Sequence, residues 1–223
     1  MRRVPRWVLG LLAASVIAQF LWHASLPAAQ REVQALPPAP RADVLRLAAL
    51  GEDAAAARLL TLYVQGFDVR AVDYGRLTGW LRAALALDPR SAYPLFVAAR
   101  VFAETPDAAA SRVALEFIYQ EFTRDPNRRW PWLAHAALLA KHRLKDLPLA
   151  RRYAAAIDRQ STSRDVPLWA RQMEVFILED MNELEAARIL LGTLLQRGGI
   201  HDPNELRFLQ RRLEELEKRV KVK

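Results

Sequence analysis

Arg129-Trp-Pro-Trp-Leu-Ala-His-Ala-Ala-Leu-Leu-Ala-Lys-His-Arg143 is the stretch whose reading decides the fold. Its apolar residues return every three or four positions, the period of one helix face, and nothing in it alternates as a strand does. Leu144-Lys-Asp146 interrupts the pattern and Leu147–Arg159 resumes it, so the stretch opens a pair of helices joined by a tight turn. A shift of 37 residues repeats the unit. It aligns Leu95 with Trp132 and Trp169, Phe102 with Leu139 and Phe176, and Val113 with Ala150 and Ala187. Trp80, Phe117, Ala154 and Leu191 form a fourth set, and Tyr93-Pro94 matches Trp130-Pro131. An acid close before proline marks each boundary: Asp88-Pro89, Asp125-Pro126, Asp165-Val-Pro167 and Asp202-Pro203. Self-similarity at such a period is the signature of a helical-repeat architecture.

Outward from this unit, the next one runs Pro167–Met181, turns at Asn182-Glu183, and returns over Leu184–Arg197 to end at Gly198-Gly199, as a C-cap should. A preceding unit covers about Ser91–Ala103 and Asp107–Phe122. A first, less regular one covers about Asp53–Gly66 and Asp73–Leu87. Composition agrees with an all-α chain. Ala and Leu supply most of the apolar content, and no glycine falls between Gly79 and Gly192, where a β-rich chain would need several at its turns. The prolines of this region sit beside polar turns or in opening helical turns, where the missing N–H costs nothing. Residues 203–220 read as a capping helix. Asp202 is placed to be its N-cap, Pro203 its first residue, and Glu205 the returning acid of a capping box. Leu206, Leu209, Leu213, Leu216 and Val220 line one face, with Glu214–Lys218 and Glu215–Arg219 as i,i+4 pairs on the other. A coiled-coil dimer is the competing reading, but about two heptads make a weak seam.

Paired helices of alanine and large apolar residues, with Leu85-Ala-Leu-Asp-Pro89 closing one unit and the Trp169…Ala187…Leu191…Leu194 run in another, resemble the tetratricopeptide-repeat (TPR) superfamily over roughly residues 53–200. That resemblance implies an α-solenoid of about four helical hairpins whose concave surface binds a peptide or helix of another protein. The whole chain is similar to bacterial proteins with one membrane anchor and an extracytoplasmic TPR-like domain, which implies scaffolding.

Arg2, Arg3 and Arg6 precede Trp7-Val-Leu-Gly-Leu-Leu-Ala-Ala-Ser-Val-Ile-Ala-Gln-Phe-Leu-Trp22, and no charged side chain follows until after Ala29 if His23 is neutral. A helix over 7–29 rises about 34 Å, enough to cross a hydrocarbon core. The expectation is an uncleaved N-terminal transmembrane helix, with the arginines cytoplasmic and the body in the periplasm of a bacterium. A cleaved signal with the small residues of Ser25–Ala29 near its end is the alternative, leaving a body secreted to the periplasm. The expected domains are an anchor at 1–29, a Pro-rich tether at 30–42, the repeat domain at 43–202, and the capping helix with a basic tail at 203–223.

The chain carries a net charge of +8, and three of its arginines precede the anchor; the other 30 Lys/Arg mix with 25 Asp/Glu. A nucleic-acid binder needs a concentrated basic stripe, and the linear sequence shows none. Absent cysteine removes disulfides, thiol catalysis and Cys-based metal sites. His135 and His142 lie seven apart on one helix, about 10 Å along its axis, too far to share a metal ion. Glu179-Asp180 and Glu183-Glu185 read as a solvated turn rather than an acid–base pair. Phosphate-loop, nucleophile-elbow and metalloprotease motifs are absent. The sequence therefore names no catalytic, cofactor or metal residues, and expects a non-enzymatic scaffold with a protein partner, the alternatives being a permanent subunit of a membrane complex and, remotely, an enzyme with an unrecognised site. Asp125-Pro-Asn-Arg-Arg-Trp-Pro-Trp132 brings two arginines and two tryptophans to one inter-repeat turn, and such residues dominate binding hot spots. Arg128, Arg129 and Trp130 are the expected partner-binding residues, with tryptophan packing and solvated arginines as the alternative.

Overall fold

The computed structural model describes residues 6–25, 35–198, 200 and 202–221, in two units, residues 1–34 and 35–223. All regular structure among the described residues is helical. The first unit contains helix α1 (Arg6–Ser25), on which Trp7, Leu11, Leu12, Val16, Ile17 and Trp22 are exposed. Among the described residues no helix is long and apolar enough to cross a membrane. The expected span continues to Ala29; residues 26–29, Arg2, Arg3 and residues 30–34 of the tether lie outside the described residues.

In the second unit, residues 35–41 do not stand off as a tether. Leu36 is buried, its carbonyl accepts from Arg76 at 2.8 Å, and the Pro37 carbonyl accepts from the Trp80 indole at 2.8 Å. A buried leucine and two hydrogen bonds dock this stretch on the body. A short helix α2 (Ala42–Ala49) follows, then α3 (Asp53–Gln65) and α4 (Tyr74–Leu87), which pack together. Next come α5 (Tyr93–Val97), a π-helical turn (Ala98–Phe102), α6 (Ala108–Arg124), α7 (Pro126–His142) and α8 (Leu147–Gln160). Helices α9 (Leu168–Arg171), α10 (Met173–Asp180), α11 (Leu184–Arg197) and α12 (Pro203–Lys221) complete the chain.

Asp73, Asp107 and Asp146 start α4, α6 and α8 by accepting backbone N–H groups of the first turn at 2.8–3.3 Å. A carboxylate there satisfies donors that the helix leaves unpaired. The glycine-free stretch still contains left-handed residues: Lys145 (φ 54°) turns the chain between α7 and α8, and Asn182 (φ 60°) does so before α11. The gapless 37-residue register slips at α6, because α4, α6, α8 and α11 begin at residues 74, 108, 147 and 184. Val113 is accordingly exposed while its sequence mates Ala150 and Ala187 are buried. Two expected helices are interrupted. The first helix of the Ser91 unit passes into the π turn, where the Ala103 N–H bonds the Ala98 carbonyl at 2.8 Å. Pro167–Met181 breaks at Gln172, whose buried side chain donates to Glu205 of α12. That bond takes Glu205 away from its expected capping-box role, although Asp202 does accept from the Asn204 N–H at 2.8 Å. Helix α7 starts three residues earlier than expected, which places Pro131 inside it.

The main core runs from Leu36 to Ile177 and includes Trp80, Phe102, Phe117, Phe122 and Tyr153. A smaller cluster of Val175, Leu178, Leu184, Ala187, Leu191 and Leu194 is closed by Leu209 and Leu216 of α12, the faces expected of a capping helix. The principal packing partners are near neighbours in the chain: α3 with α4 and α5, α4 with α6, α6 with α7, α7 and α10 with α8, α10 with α11, and α11 with α12.

Candidate partner-docking face

Arg129 is the most informative of the expected partner-binding residues because its side chain is only 8% exposed. It donates to the Glu121 carboxylate and carbonyl, both at 2.8 Å, and to the Pro89 carbonyl at 3.0 Å. Glu121 is 1% exposed and is further paired with Arg124 at 2.7 Å and Arg82 at 3.7 Å. A buried carboxylate requires such partners, and Arg129 is therefore an interior clamp between α4, α6 and α7, not a surface contact. Arg128 is exposed and lies 3.6 Å from Asp125. Trp130 is half-buried, with its ring packed edge-on against Trp169 at 5.4 Å. Trp169 is itself 52% exposed. The structure thus separates the three residues: Arg129 faces inward, Arg128 outward, and Trp130 belongs to a tryptophan pair.

The other sequence candidates are also placed. His135 lies beside Glu104 at 3.7 Å; burial first, and then the guanidinium of Arg100, push its pKa below the usual value, against the smaller opposing pull of Glu104. His142 is exposed. No metal-binding group of acids and histidines occurs among the described residues, and His201 lies outside them. The acidic turn is not uniformly solvated. Glu179 is buried and accepts from Arg212 at 2.6 and 3.0 Å and from Arg219 at 3.2 Å, fastening α12 to α10.

Two open cavities instead collect the exposed chemistry. One, of about 430 Å³, lies where α6, α8 and α10 meet, lined by Arg151, Arg152 and Arg159 with Tyr119, Pro148 and Met181. Arg151 and Arg159 share the buried carboxylate of Glu174 at 3.2 and 3.8 Å. Arg152 pairs with Glu116 at 3.1 Å and lies over the Tyr119 ring, 4.3 Å from its centre. Tyr119 stacks on buried Tyr153, whose hydroxyl is pushed upward in pKa mainly by burial. The second cavity, of about 390 Å³, is a bowl lined by Arg82, Arg90, Arg124, Arg128 and Arg129 around Glu121 and Asp125. Arg82, Arg90 and Arg124 are scattered in the sequence among acids, so only the packing of α4, α6 and α7 reveals them as a group; the α8 arginines are closer together. The short spacing Arg151-Arg152…Arg159, which returns arginine to one helix face after two turns, is the signal available beforehand. No family model, curated protein or solved structure matches the chain.

Proposed function

We propose that the chain is a membrane-anchored, TPR-like adaptor whose body docks an acidic, partly apolar segment of another envelope protein. The observation that carries this reading is the groove at α8, where three arginines edge a surface of Tyr119, Pro148 and Met181. Arginine forks suit carboxylates, and the aromatic and aliphatic walls suit the apolar residues between them. Pre-packed helices lose little entropy on receiving such a segment. The anchor reading is supported by the uncharged stretch 7–29 behind Arg2, Arg3 and Arg6, and by the exposed apolar side chains of α1. It puts the N-terminus in the cytoplasm and the body in the periplasm, next to the inner membrane.

A photo-crosslinker placed at exposed Gln160 in vivo should capture one partner that a crosslinker at exposed Lys218 does not. Arg152→Gln/Arg159→Gln should reduce that adduct about tenfold. Equal capture at Lys218 would remove the groove from the proposal. A reporter fused at Lys223 checks topology, with cytoplasmic activity overturning the orientation.

One observation favours a second reading, a permanent subunit of a membrane complex. Val44, Leu47 and Leu50 around α2, with Leu59 and Leu62 of α3, are exposed large apolar residues within a short stretch of chain. Exposed large apolar side chains concentrated on neighbouring helices suit an obligate interface. Stoichiometric co-purification in detergent that survives high salt would select this reading over the adaptor.

A further inference from the structure

The bowl between α4, α6 and α7 holds five guanidinium groups and two carboxylates, a surplus of three positive charges in one concavity. Its floor is complete without that surplus. Arg129 spends its donors on Glu121 and the Pro89 carbonyl, and the same carboxylate accepts from Arg124. The rim arginines keep donors to spare, since a guanidinium carries five N–H groups. Arg124 is 61% exposed and gives one hydrogen bond to Glu121. Arg128 lies too far from Asp125 for a hydrogen bond at 3.6 Å. Arg90 has no ion pair among the described residues.

The next joint of the body is closed with a smaller positive surplus. There the turn Asp125-Pro126-Asn127 takes the place of Asp88-Pro89-Arg90, one 37-residue step earlier. The Asn127 Oδ1 accepts from the backbone N–H groups of Thr162 and Ser163 at 2.7 and 2.8 Å, and the Pro126 carbonyl accepts from the Ser161 hydroxyl at 3.4 Å. That joint also uses guanidinium groups, but only two of them share one carboxylate: Arg171 donates to the Ser161 and Ser163 carbonyls and lies 3.8 Å from Asp158, which pairs with Arg197 at 2.8 Å. At the bowl, five guanidinium groups converge with two carboxylates, and the exposed rim groups keep donors that an anion would take up.

We propose that the bowl binds a compact, multiply charged oxyanion of the phosphate class, gripped by Arg90 and Arg128 at the rim with Arg82 and Arg124 beside them. A single carboxylate offsets one of the three surplus charges and offers two acceptor oxygens. A phosphate-class group offers more of both, and arginine forks bind its oxygens in pairs. The site is separate from the α8 groove and does not depend on it. Soluble phosphates and phosphate-bearing lipid headgroups share this chemistry.

Calorimetric titration of the full-length chain in neutral detergent micelles with inorganic pyrophosphate tests the site. Saturable one-to-one binding is expected. Arg90→Gln/Arg128→Gln should weaken it at least about tenfold, since each lost charge-assisted bond is worth that much or more. Arg211→Gln/Lys218→Gln, on the exposed face of α12, should leave it unchanged. Both variants replace exposed side chains and should keep the wild-type circular dichroism and melting temperature. In a second arm, phosphatidic acid doped into the micelles is offered at matched phosphate concentration. Displacement of pyrophosphate assigns the site to a headgroup, and no displacement assigns it to a soluble phosphate. Failure of both probes to saturate overturns the proposal. So does a rim variant that binds as the wild type, or equal weakening in the α12 control.

Discussion

Arg128 and Arg129 are sequence neighbours with opposite fates, and the difference is a matter of helix geometry. Successive residues on a helix point about 100° apart, so Arg129 reaches inward to Glu121 while Arg128 stays at the exposed rim of the same bowl. Arg129→Ala leaves Glu121 buried without its best partner and should cost about 3–5 kcal/mol, whereas Arg128→Ala should stay within about 0.5 kcal/mol. Denaturant melts of the two variants check this directly, and equal costs would show that the clamp is not structural. His135 gives a second expectation. Its folded pKa lies below the ordinary imidazole value of about 6.5, so between the folded value and that one the unfolded chain binds more protons. Stability therefore falls as pH drops through that window, and the loss is complete once pH is below the folded pKa. Between about pH 7 and about pH 5 the melting temperature should decline, and the decline should be shallower in His135→Gln. Asp146 acts lower on the scale: the Leu149 N–H and the paired Arg112 hold its carboxyl below the usual range, and its contribution persists until pH falls through that lowered value.

At the scale of elements, helix identity was legible because periodicity, proline and acidic caps all spoke together. Leu184–Arg197 matches α11 at both ends, and Asp73 and Asp107, the expected starts of two helices, are the N-caps of α4 and α6. What escaped the sequence was continuity within a helix. The π turn at Ala98–Phe102 contains only ordinary helix formers, and Gln172 breaks a helix whose flanks give no warning. Both depend on distant partners, Tyr74 donating to the Phe102 carbonyl at 3.1 Å and Glu205 accepting from Gln172. The arginine bowl was hidden for the same reason, since its charges come from three helices and a turn. Helix α12 was legible in its apolar stripe, and its load can be measured. Leu216 is fully buried against α11's cluster, so Leu216→Ala should cost about 2–5 kcal/mol, while Leu206→Ala, only half-buried, should cost less. Thermal melts that rank the two the other way would contradict the packing described.

For the whole molecule, the two clusters imply unequal stability. The smaller one relies on α12 and on the arginine fastening at Glu179, and deletion of residues 203–223 should expose Leu191 and Leu194 while sparing the core around Phe117 and Tyr153. Hydrogen exchange on the truncated chain should show lost protection confined to α10 and α11; loss spreading to α4 and α6 would mean that one core, not two, is at work. The near-neighbour packing of the helices has a mechanical counterpart. Among the described residues, α11 and α12 are not principal packing partners of α2 or α3, so tension applied between Ala35 and Lys221 is borne by the joints in series. Stretched in a single-molecule force instrument, such a body yields as a staircase of small extensions, the α11–α12 step first and the joint clamped by Arg129 and Glu121 among the last. A device built this way lengthens under load in graded increments and re-forms when the load is released.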